Sequence, residues 1–423
     1  MSEAARPGWP SPCITRVAIR NFKSIASCDV RLGPLTWLVG ANGAGKSNFL
    51  DALHFVRDAL VDSVDGALRR RGGLEVIEHR GAAGDESVGI RIEFALPGGA
   101  RGHYALAFEH EMGGGLRHMG VLPTLREECA VGLEGEEHRF TARAGVVQSQ
   151  TDFPLPATSL GRLGLHAVGG MAGFRAVHDA VAAIGCFNFD PKALRQAQPS
   201  GGAARLAGDG GNLAEWLYSP TVLFENCLGN DDEAVVHFQR YLHLIVPSVE
   251  KVEPIKFGPS YWTLNFTQRP SGGQTAPSEF LALGMSDGTL RATAVLAALF
   301  LAPLDFFGPN AAHCIGIEEP ETSLHPGAAA VLREAIARAS ERVQVIVTSH
   351  SADLLDDDGI DAASVFSVTN DGSDTRIGPV SAAARSVLKD RLFTVGELLR
   401  LNQLDPEGSE IAPAPAVRLF DDA

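Results

Sequence analysis

One stretch near the start of the chain decides its fold: Leu35-Thr-Trp-Leu-Val39-Gly40-Ala-Asn-Gly43-Ala-Gly45-Lys46-Ser47. It opens with a short apolar run, which is typical of a buried parallel strand. The following residues fit the pattern G-x-x-x-x-G-K-[ST], and Asn48–Leu60 then carries apolar side chains at helical spacing. A strand, a glycine-rich turn and a helix in this order predict a phosphate-binding loop rather than a chance glycine-rich turn.

Each part of this loop suits one part of a bound nucleotide. The glycines let the backbone fold tightly, so that amide N–H groups converge on phosphate oxygens. Lys46 would place a positive charge beside the β- and γ-phosphates, and Ser47 would offer a hydroxyl to Mg²⁺. We therefore predict ATP and Mg²⁺ as ligands. The predicted nucleotide-binding residues of the loop are Gly40, Asn42, Gly43, Ala44, Gly45, Lys46, Ser47 and Asn48.

The composition describes a globular chain with an acidic balance. It has 423 residues, 45% of them hydrophobic and 21% charged, and a formal net charge of −15. The acidity argues against a broad nucleic-acid surface but allows a local basic groove. The cluster Arg69-Arg70-Arg71 fits either a phosphate contact or an exposed helix end. Both readings stay open at this point.

The cysteines and the apolar segments indicate the compartment. Six cysteines stand far apart without a C-x-x-C pair, as expected for reduced, mostly buried thiols. The most apolar stretch, Ala294–Pro303, is too short to span a bilayer, and the first residues lack a signal sequence. We expect a soluble, cytoplasmic protein without a membrane partner.

Strand and helix patterns are clear at both ends of the chain and obscure in the middle. We predict an α/β nucleotide-binding head whose N-terminal half is 1–112 and whose C-terminal half is 278–423. Residues 113–277 would form an inserted lid region of mixed helices and strands. The chain has no heptad repeat, so we expect no long coiled coil.

Two acids follow an apolar strand pattern in Cys314-Ile-Gly-Ile-Glu318-Glu319. Acids at the carboxyl end of a parallel strand lie where ligands bind. Glu318 would bind Mg²⁺, directly or through water, and Glu319 would orient and activate the attacking water. The alternative is a surface acid cluster, since Glu321 follows closely. His350 ends the next apolar strand, at the same predicted sheet edge, where it would sense the γ-phosphate. A lone histidine is otherwise more often structural.

A second anion site is predicted at Ser286-Asp-Gly288-Thr289, just before the long apolar helix Leu290–Leu301. Ser286 would cap this helix, and Gly288 would leave its first amides open. Because the glycine-rich loop already holds one side of a triphosphate, a second site suggests two chains facing each other. An ordinary helix cap is the alternative. Ser271-Gly-Gly-Gln274 is similar to the transporter signature, but the flanking prolines favour a loop there.

The combined motifs resemble ABC-type ATPase heads of the RecF and SMC kind, and more closely the RecF-like prokaryotic ATPases often grouped as AAA-domain proteins. The matching segments are Ile14–Ser24, the signature-like Ser286–Arg291, the Walker B and D-loop segment Glu318–Pro326 and the switch segment Thr348–Ser351, with further likeness at 212–214, 388–389 and 396–399. The resemblance implies a P-loop head of ABC type, with a mixed sheet plus helices and a compact inserted lid.

The resemblance also assigns roles. It makes Lys46 and Ser47 the Walker A residues, and it gives Glu318 the metal position, where many relatives have Asp. Glu319 becomes the catalytic base, so that Glu319, His350 and Lys46 are the predicted catalytic residues. Ser286 and Gly288 form the signature that acts on the other chain's nucleotide, with Leu324 in the D-loop. For the Q-loop, Arg80 lies in about the right region, but no glutamine stands in an obvious position.

Three functions are compatible with these residues to different degrees. The first is an ATP-driven switch whose heads pair as a homodimer on ATP binding, in DNA-related or anti-phage defence processes, read by duplex DNA or by an effector protein such as a nuclease. The second is a DNA-clamping repair ATPase. The third, a transporter ATPase subunit, is disfavoured by the motif variants. About 70 residues follow His350, too few for a Toprim nuclease domain, so we expect no nuclease activity in the chain itself.

Overall fold

The structure is a computed structural model of the chain. It describes residues 12–80, 88–109, 124–133, 135–149, 161–202, 205–218, 233–270, 276–304, 312–372, 374–408 and 417–421. The transporter-signature-like Ser271–Gln274 and the cysteine Cys227 lie outside these ranges. The other five cysteines are free thiols.

The chain forms two compact units. The first unit comprises residues 1–184, 361–393 and 398–423, and the second unit comprises 185–360 and 394–397. These units are not divided at the predicted boundaries after 112 and 277, because residues 113–184 share a unit with the start of the chain. The inserted lid region at 113–277 stays a prediction.

Strands occur throughout the described chain. They are β1 (Cys13–Phe22), β2 (Ile25–Arg31), β3 (Leu35–Val39), β4 (Gly89–Ala95), β5 (Arg101–Glu109), β6 (Thr124–Leu133), β7 (Glu136–Arg143), β8 (Val146–Ser149), β9 (Ile184–Phe187), β10 (Gln198–Pro199), β11 (Val249–Lys256), β12 (Tyr261–Gln268), β13 (Ser278–Leu281), β14 (Cys314–Glu318), β15 (Gln344–Ser349), β16 (Val365–Asn370) and β17 (Thr375–Pro379).

Helices alternate with the strands mainly in the later part of the chain. They are α1 (Lys46–Val61), α2 (Val64–Arg70), α3 (Leu74–Ile77), α4 (Gly164–Val168), α5 (Ala172–Ala182), α6 (Pro191–Arg195), α7 (Leu213–Tyr218), α8 (Glu233–Ile245), α9 (Asp287–Phe300), α10 (Ala329–Ser340), α11 (Ala382–Lys389) and α12 (Val395–Arg400).

A seven-stranded antiparallel sheet dominates the first unit, in the order β2-β1-β4-β5-β6-β7-β8. β1 pairs with β2 in antiparallel register and forms a hairpin with it. Helices α1 and α5 pack against this sheet. On that face Phe22, Phe55 and Phe108 form a chain of ring contacts with centroids 6.1 Å apart. Burial of these large rings is the main stabilising contribution there.

The phosphate-loop strand lies in a second group of strands in the first unit. β3 runs parallel to β16, with Leu38 opposite Phe366, and β16 pairs with β17 in antiparallel register. Trp37, Leu38 and Val39 are buried. The prediction of a buried parallel strand is therefore confirmed.

In the second unit, β14 and β15 form a parallel pair in which Glu318 lies opposite Thr348. Helix α9 packs against α8 and α10, and its residues from Thr289 to Phe300 are all buried. A helix that is apolar on all sides belongs in a core, which agrees with the long apolar helix predicted from Leu290. Strands β10–β13 make a small antiparallel sheet around β12.

None of the helices in the described ranges is long and apolar enough to cross a membrane. The longest of them, α1, has 16 residues.

Candidate functional site

The glycine-rich loop connects β3 to α1 in the first unit, and its shape depends on glycine. Gly43 and Gly45 have positive φ angles of 78° and 99°, which side-chain-bearing residues adopt at a cost. Gly40 is required for a different reason, because a Cβ there would lie 2.0 Å from the carbonyl oxygen of Val368. Gly45 also forms the N-cap of α1, so the loop ends at a helix N-terminus.

Lys46 is turned back onto this loop. Its side chain is buried, and Nζ donates hydrogen bonds to the carbonyl oxygens of Gly40 at 2.8 Å and Ala41 at 2.9 Å. The ammonium is thus fixed within the loop, while Asn42 and Ser47 are exposed. A fixed cation, open backbone and a helix N-terminus form an arrangement that suits a phosphate chain.

A network of polar side chains supports the backbone of the glycine-rich loop, and the sequence motif did not predict this network. Thr375, at the start of β17, donates from Oγ1 to the carbonyl oxygen of Ala44 at 2.9 Å. Its Oγ1 lies 2.6 Å from Oγ of Ser24, which accepts a hydrogen bond from Nδ2 of Asn48. Ser24 belongs to the segment Ile14–Ser24 quoted for the resemblance, but Thr375 carries no sequence signal.

The carboxylates Glu318 and Glu319 lie at the carboxyl end of β14 in the second unit. Glu319 has a positive φ of 42°, a strained conformation for a residue with a side chain. Three hydrogen bonds hold its backbone there. Its N–H donates to the carbonyl oxygen of Thr348 at 2.9 Å, and its carbonyl oxygen accepts from the N–H of Thr322 at 3.1 Å and from Arg291 at 3.1 Å.

His350 is brought next to Glu319, as the sequence predicted for the end of the following strand. The distance from Nδ1 of His350 to Oε1 of Glu319 is 3.0 Å, and both side chains are about one-third exposed, at 38% and 34%. Glu318 is half-buried, and its Oε2 accepts a hydrogen bond from Nδ2 of Asn188 at 3.3 Å. Asn188 was not singled out from the sequence. The result is an accessible edge that carries two carboxylates and an imidazole.

Arg291 positions the backbone of this edge from inside the unit. Its side chain is buried in α9, where the guanidinium donates to the carbonyl oxygens of Phe189, at 2.6 Å, and of Glu319. Burial lowers the pKa of Arg291, while the charges of nearby carboxylates, chiefly Glu321, raise it in part. Arg291 stood in the signature-like segment, but its contact with Glu319 was not predicted.

Glu321 is not part of a solvated acid cluster. It is mostly buried, its Oε1 accepts a hydrogen bond from Oγ of Ser349 at 2.6 Å, and burial raises its pKa. The alternative of a surface acid cluster therefore does not describe this residue.

The predicted second anion site begins α9. Oγ of Ser286 accepts a hydrogen bond from the N–H of Thr289 at 3.2 Å, so Ser286 is the N-cap. A Cβ on Gly288 would lie 2.4 Å from the carbonyl oxygen of Ser323, which explains why glycine stands there. Ser323 precedes Leu324, so the signature-like and D-loop segments touch within one unit. The cap geometry agrees with both the anion site and the ordinary cap.

The two arginine predictions have different outcomes. Arg80 is exposed, and its role in a Q-loop stays a prediction. In the cluster at the end of α2, Arg70 pairs with Asp62, and Arg71 is buried against Asp51 and Asp58. These pairings favour the structural interpretation of the cluster.

The donor set fits the predicted ligands. Lys46 and the loop amides suit phosphate, while the Ser47 hydroxyl and the Glu318 carboxylate are hard oxygen ligands of the kind Mg²⁺ prefers. Ser47 belongs to the first unit and Glu318 to the second.

The chain is similar in sequence to several known proteins. A family model described as "AAA domain, putative AbiEii toxin, Type IV TA system" matches residues 35–100 and 228–357. The chain is 46% identical over 87 residues to the DNA replication and repair protein RecF of Porphyromonas gingivalis, covering 20% of this chain and 23% of that protein. It is 44% identical over 43 residues to the OLD nuclease of Thermus scotoductus, covering 10% and 8%. The matches thus span a quarter or less of these relatives.

Solved structures show the same fold. An SMC head bound to the C-terminal winged-helix domain of ScpA superimposes with a TM-score of 0.52 at 16% identity, over 89% of this chain and 99% of that one. A Pyrococcus furiosus SMC head, bound to the C-terminal domain of ScpA, gives 0.52 at 13% identity, over 90% and 99%.

The structure and these matches show the fold of a P-loop head of the ABC type. Over short stretches the chain is similar in sequence to RecF and to the OLD nuclease, and it is similar in fold to the SMC heads.

Proposed function

We propose that the chain binds and hydrolyses ATP with Mg²⁺ and acts as an ATP-driven switch. The observation that carries this proposal is the arrangement around Glu319, which is held in a strained backbone conformation with its carboxylate 3.0 Å from His350. Strain maintained by several hydrogen bonds is typical of functional sites. The loop at Gly40–Ser47 supplies the matching phosphate-binding chemistry.

In this proposal each residue has one task. Lys46 and the loop amides bind the phosphates, while Ser47 and Glu318 hold the metal. The bound nucleotide contributes the scissile phosphoanhydride, and Mg²⁺ neutralises its charge. Glu319 orients the attacking water and accepts its proton. His350 holds the Glu319 carboxylate in position and contacts the γ-phosphate. These tasks are mostly positioning and charge neutralisation, which is what phosphoryl transfer requires.

We further propose that ATP binding pairs two chains head to head, with Ser286 and Gly288 of each covering the other's nucleotide. The helix N-terminus at Ser286, which is of the kind that binds anions, supports this arrangement. We propose that the switch acts in a DNA-related or anti-phage defence process and is read by duplex DNA or by an effector protein. The similarity to RecF, a DNA replication and repair protein, supports the DNA-related process.

The test is Glu319→Gln with Lys46→Ala beside it. We expect Glu319→Gln to retain ATP binding, to slow turnover by roughly 100- to 10,000-fold and to trap a dimer, because only the base is lost. Lys46→Ala should weaken ATP binding itself. Turnover is followed by phosphate release, and mass by analytical ultracentrifugation. Glu341→Gln, at the exposed end of α10, is the matched control. Unchanged turnover in Glu319→Gln would remove this residue from catalysis.

Clamping of duplex DNA is the second candidate, favoured by the RecF match. A clamp should bind duplex DNA more tightly with ATP, and its affinity should fall steeply as salt rises. Fluorescence anisotropy at several salt concentrations measures both effects. Absence of binding at low salt would reject the clamp and favour a protein partner.

A further inference from the structure

A short segment, Val417–Asp421, is docked on the face of the seven-stranded sheet. Val417, Leu419 and Phe420 are 7%, 2% and 4% exposed, and they form one buried cluster with three small residues of the sheet. Those residues are Ala18 on β1 and Ala105 and Ala107 on β5. All of these residues lie in the first unit.

Small residues make the floor of this docking site. Ala18, Arg91 and Ala105 are neighbours across β1, β4 and β5, and Gly89 pairs with Ala107 one step further along. At Gly89 the side chain of Leu419 takes the space, since a Cβ would lie 2.1 Å from its Cδ1. The sheet therefore has a notch shaped for a leucine.

Charged residues around the floor recognise the segment in detail. Arg91 donates to the carbonyl oxygen of Leu419 at 3.0 Å and pairs with the Asp421 carboxylate at 2.9 Å. The N–H of Asp421 donates to Oε1 of Glu128 at 3.1 Å, and the guanidinium of Arg126 lies 4.0 Å from the centre of the Phe420 ring. The last contact is a cation–π interaction.

Glu128 shows how firmly these contacts hold the site. It is fully buried, which by itself raises its pKa, but hydrogen bonds from His103 and from the Asp421 N–H, together with Arg139, lower the pKa to about 2. A buried carboxylate of this kind needs its partners.

A metal site is the competing explanation, since His103, Glu128 and Asp421 converge. Two guanidinium groups argue against it. Arg91 pairs with Asp421, and Arg139 lies 3.1 Å from Oε2 of Glu128. A divalent cation would have to displace both charges, so the cluster is better explained as a clamp for a peptide.

The segment lies on the sheet rather than extending it, because none of its residues belongs to a strand. The side chains of Arg91 and Glu128 hydrogen-bond to the backbone of the segment, and the Asp421 side chain is 42% exposed. The clamp is therefore open to solvent at one end. Because side chains rather than strand pairing recognise the segment, a separate peptide of the same sequence can make the same contacts.

We propose that this sheet face is a peptide-binding site with the preference apolar–x–Leu–Phe–Asp, and that Val417–Asp421 of a second copy of the chain can replace the chain's own segment there. The occupant is defined by the Leu419 notch, the ring contact of Phe420 and the clamp on Asp421. This exchange does not depend on nucleotide.

Two full-length variants test the exchange by complementation. Leu419→Glu with Phe420→Ser empties the site but keeps the floor. Gly89→Val fills the notch and leaves the segment intact. Mixed without nucleotide, the two should form a 1:1 complex in analytical ultracentrifugation, whereas each alone should not. A mixture that stays at the masses of the separate proteins overturns the proposal.

A milder variant covers the case in which either protein fails to fold, as judged by thermal melting. Asp421→Ala loosens the clamp and keeps both apolar anchors. A labelled peptide with the sequence of residues 416–423 should bind this variant at least 10-fold more tightly than wild type, where the tethered segment competes at an effective concentration on the order of millimolar. Equal binding to both proteins, or equal binding of a scrambled peptide, overturns the proposal.

Discussion

The phosphate loop and the carboxylate edge reach unusual backbone geometry by opposite means. The loop uses glycines, so positive φ angles at Gly43 and Gly45 cost little. The edge places Glu319 at a positive φ, where its N–H donates to Thr348 and its carbonyl oxygen accepts hydrogen bonds from Thr322 and Arg291. The loop owes its backbone geometry to glycine itself, whereas the backbone geometry of Glu319 depends largely on hydrogen-bond partners far away in sequence. The two should therefore respond differently to mutation.

The largest effect is expected at Gly45. In Gly45→Ala the new Cβ would lie 2.0 Å from Oγ1 of Thr375, in addition to the strain of a positive φ. Gly43→Ala is the matched control, because its φ is also positive but nothing lies within 4 Å of the new Cβ. We expect Gly45→Ala to weaken ATP binding at least 100-fold and Gly43→Ala by roughly 10-fold, as strain of about 1 kcal/mol implies.

Calorimetric titration with ATP measures the affinity of each variant. If Gly43→Ala is as damaging as Gly45→Ala, the contact with Thr375 does not shape the loop.

An intermediate effect is expected at Arg291, which tests the other side of the comparison. Arg291→Ala removes a hydrogen bond from the Glu319 carbonyl and leaves the loop untouched, so kcat should fall roughly 10- to 100-fold while ATP affinity changes little. Arg291→Lys should restore part of the rate because it keeps the charge.

Arg338→Ala on the surface of α10 serves as the control. Steady-state kinetics separate kcat from KM. A loss confined to KM would mean that Arg291 does not position the base.

The smallest effect concerns Asp58, on the helix that starts at the phosphate loop. Burial raises its pKa, but the hydrogen bond from His54 and the charges of Arg71 and Arg57 outweigh burial and lower the pKa to about 2. Because the unfolded chain binds this proton more readily, the stabilisation is present above about pH 4 and lost as pH falls through about 2.

The free energy of unfolding should fall by about 2 kcal/mol more in wild type than in Asp58→Asn between pH 5 and pH 2. Urea unfolding at both pH values measures this. An equal decrease in the free energy of unfolding in both proteins would mean that His54, Arg57 and Arg71 do not lower the pKa of Asp58.

The comparison also explains what the sequence could and could not reveal. The fold class was predictable, because the loop motif and the apolar strands β3, β14 and β15 follow from local pattern. The proximity of Glu319 and His350 followed from two neighbouring strand ends. Thr375 and Arg291 could not be assigned their contacts, because both act on residues far along the chain and no local pattern encodes such packing.

Lys46 already satisfies its charge with two carbonyl oxygens of its own loop. A nucleotide arriving at this loop would exchange those oxygens for phosphate oxygens, and departure would reverse the exchange. The Lys46 ammonium would therefore have oxygen partners both with and without a bound nucleotide. Such a loop keeps a defined shape through binding and release, so that release of product does not require the loop to unfold.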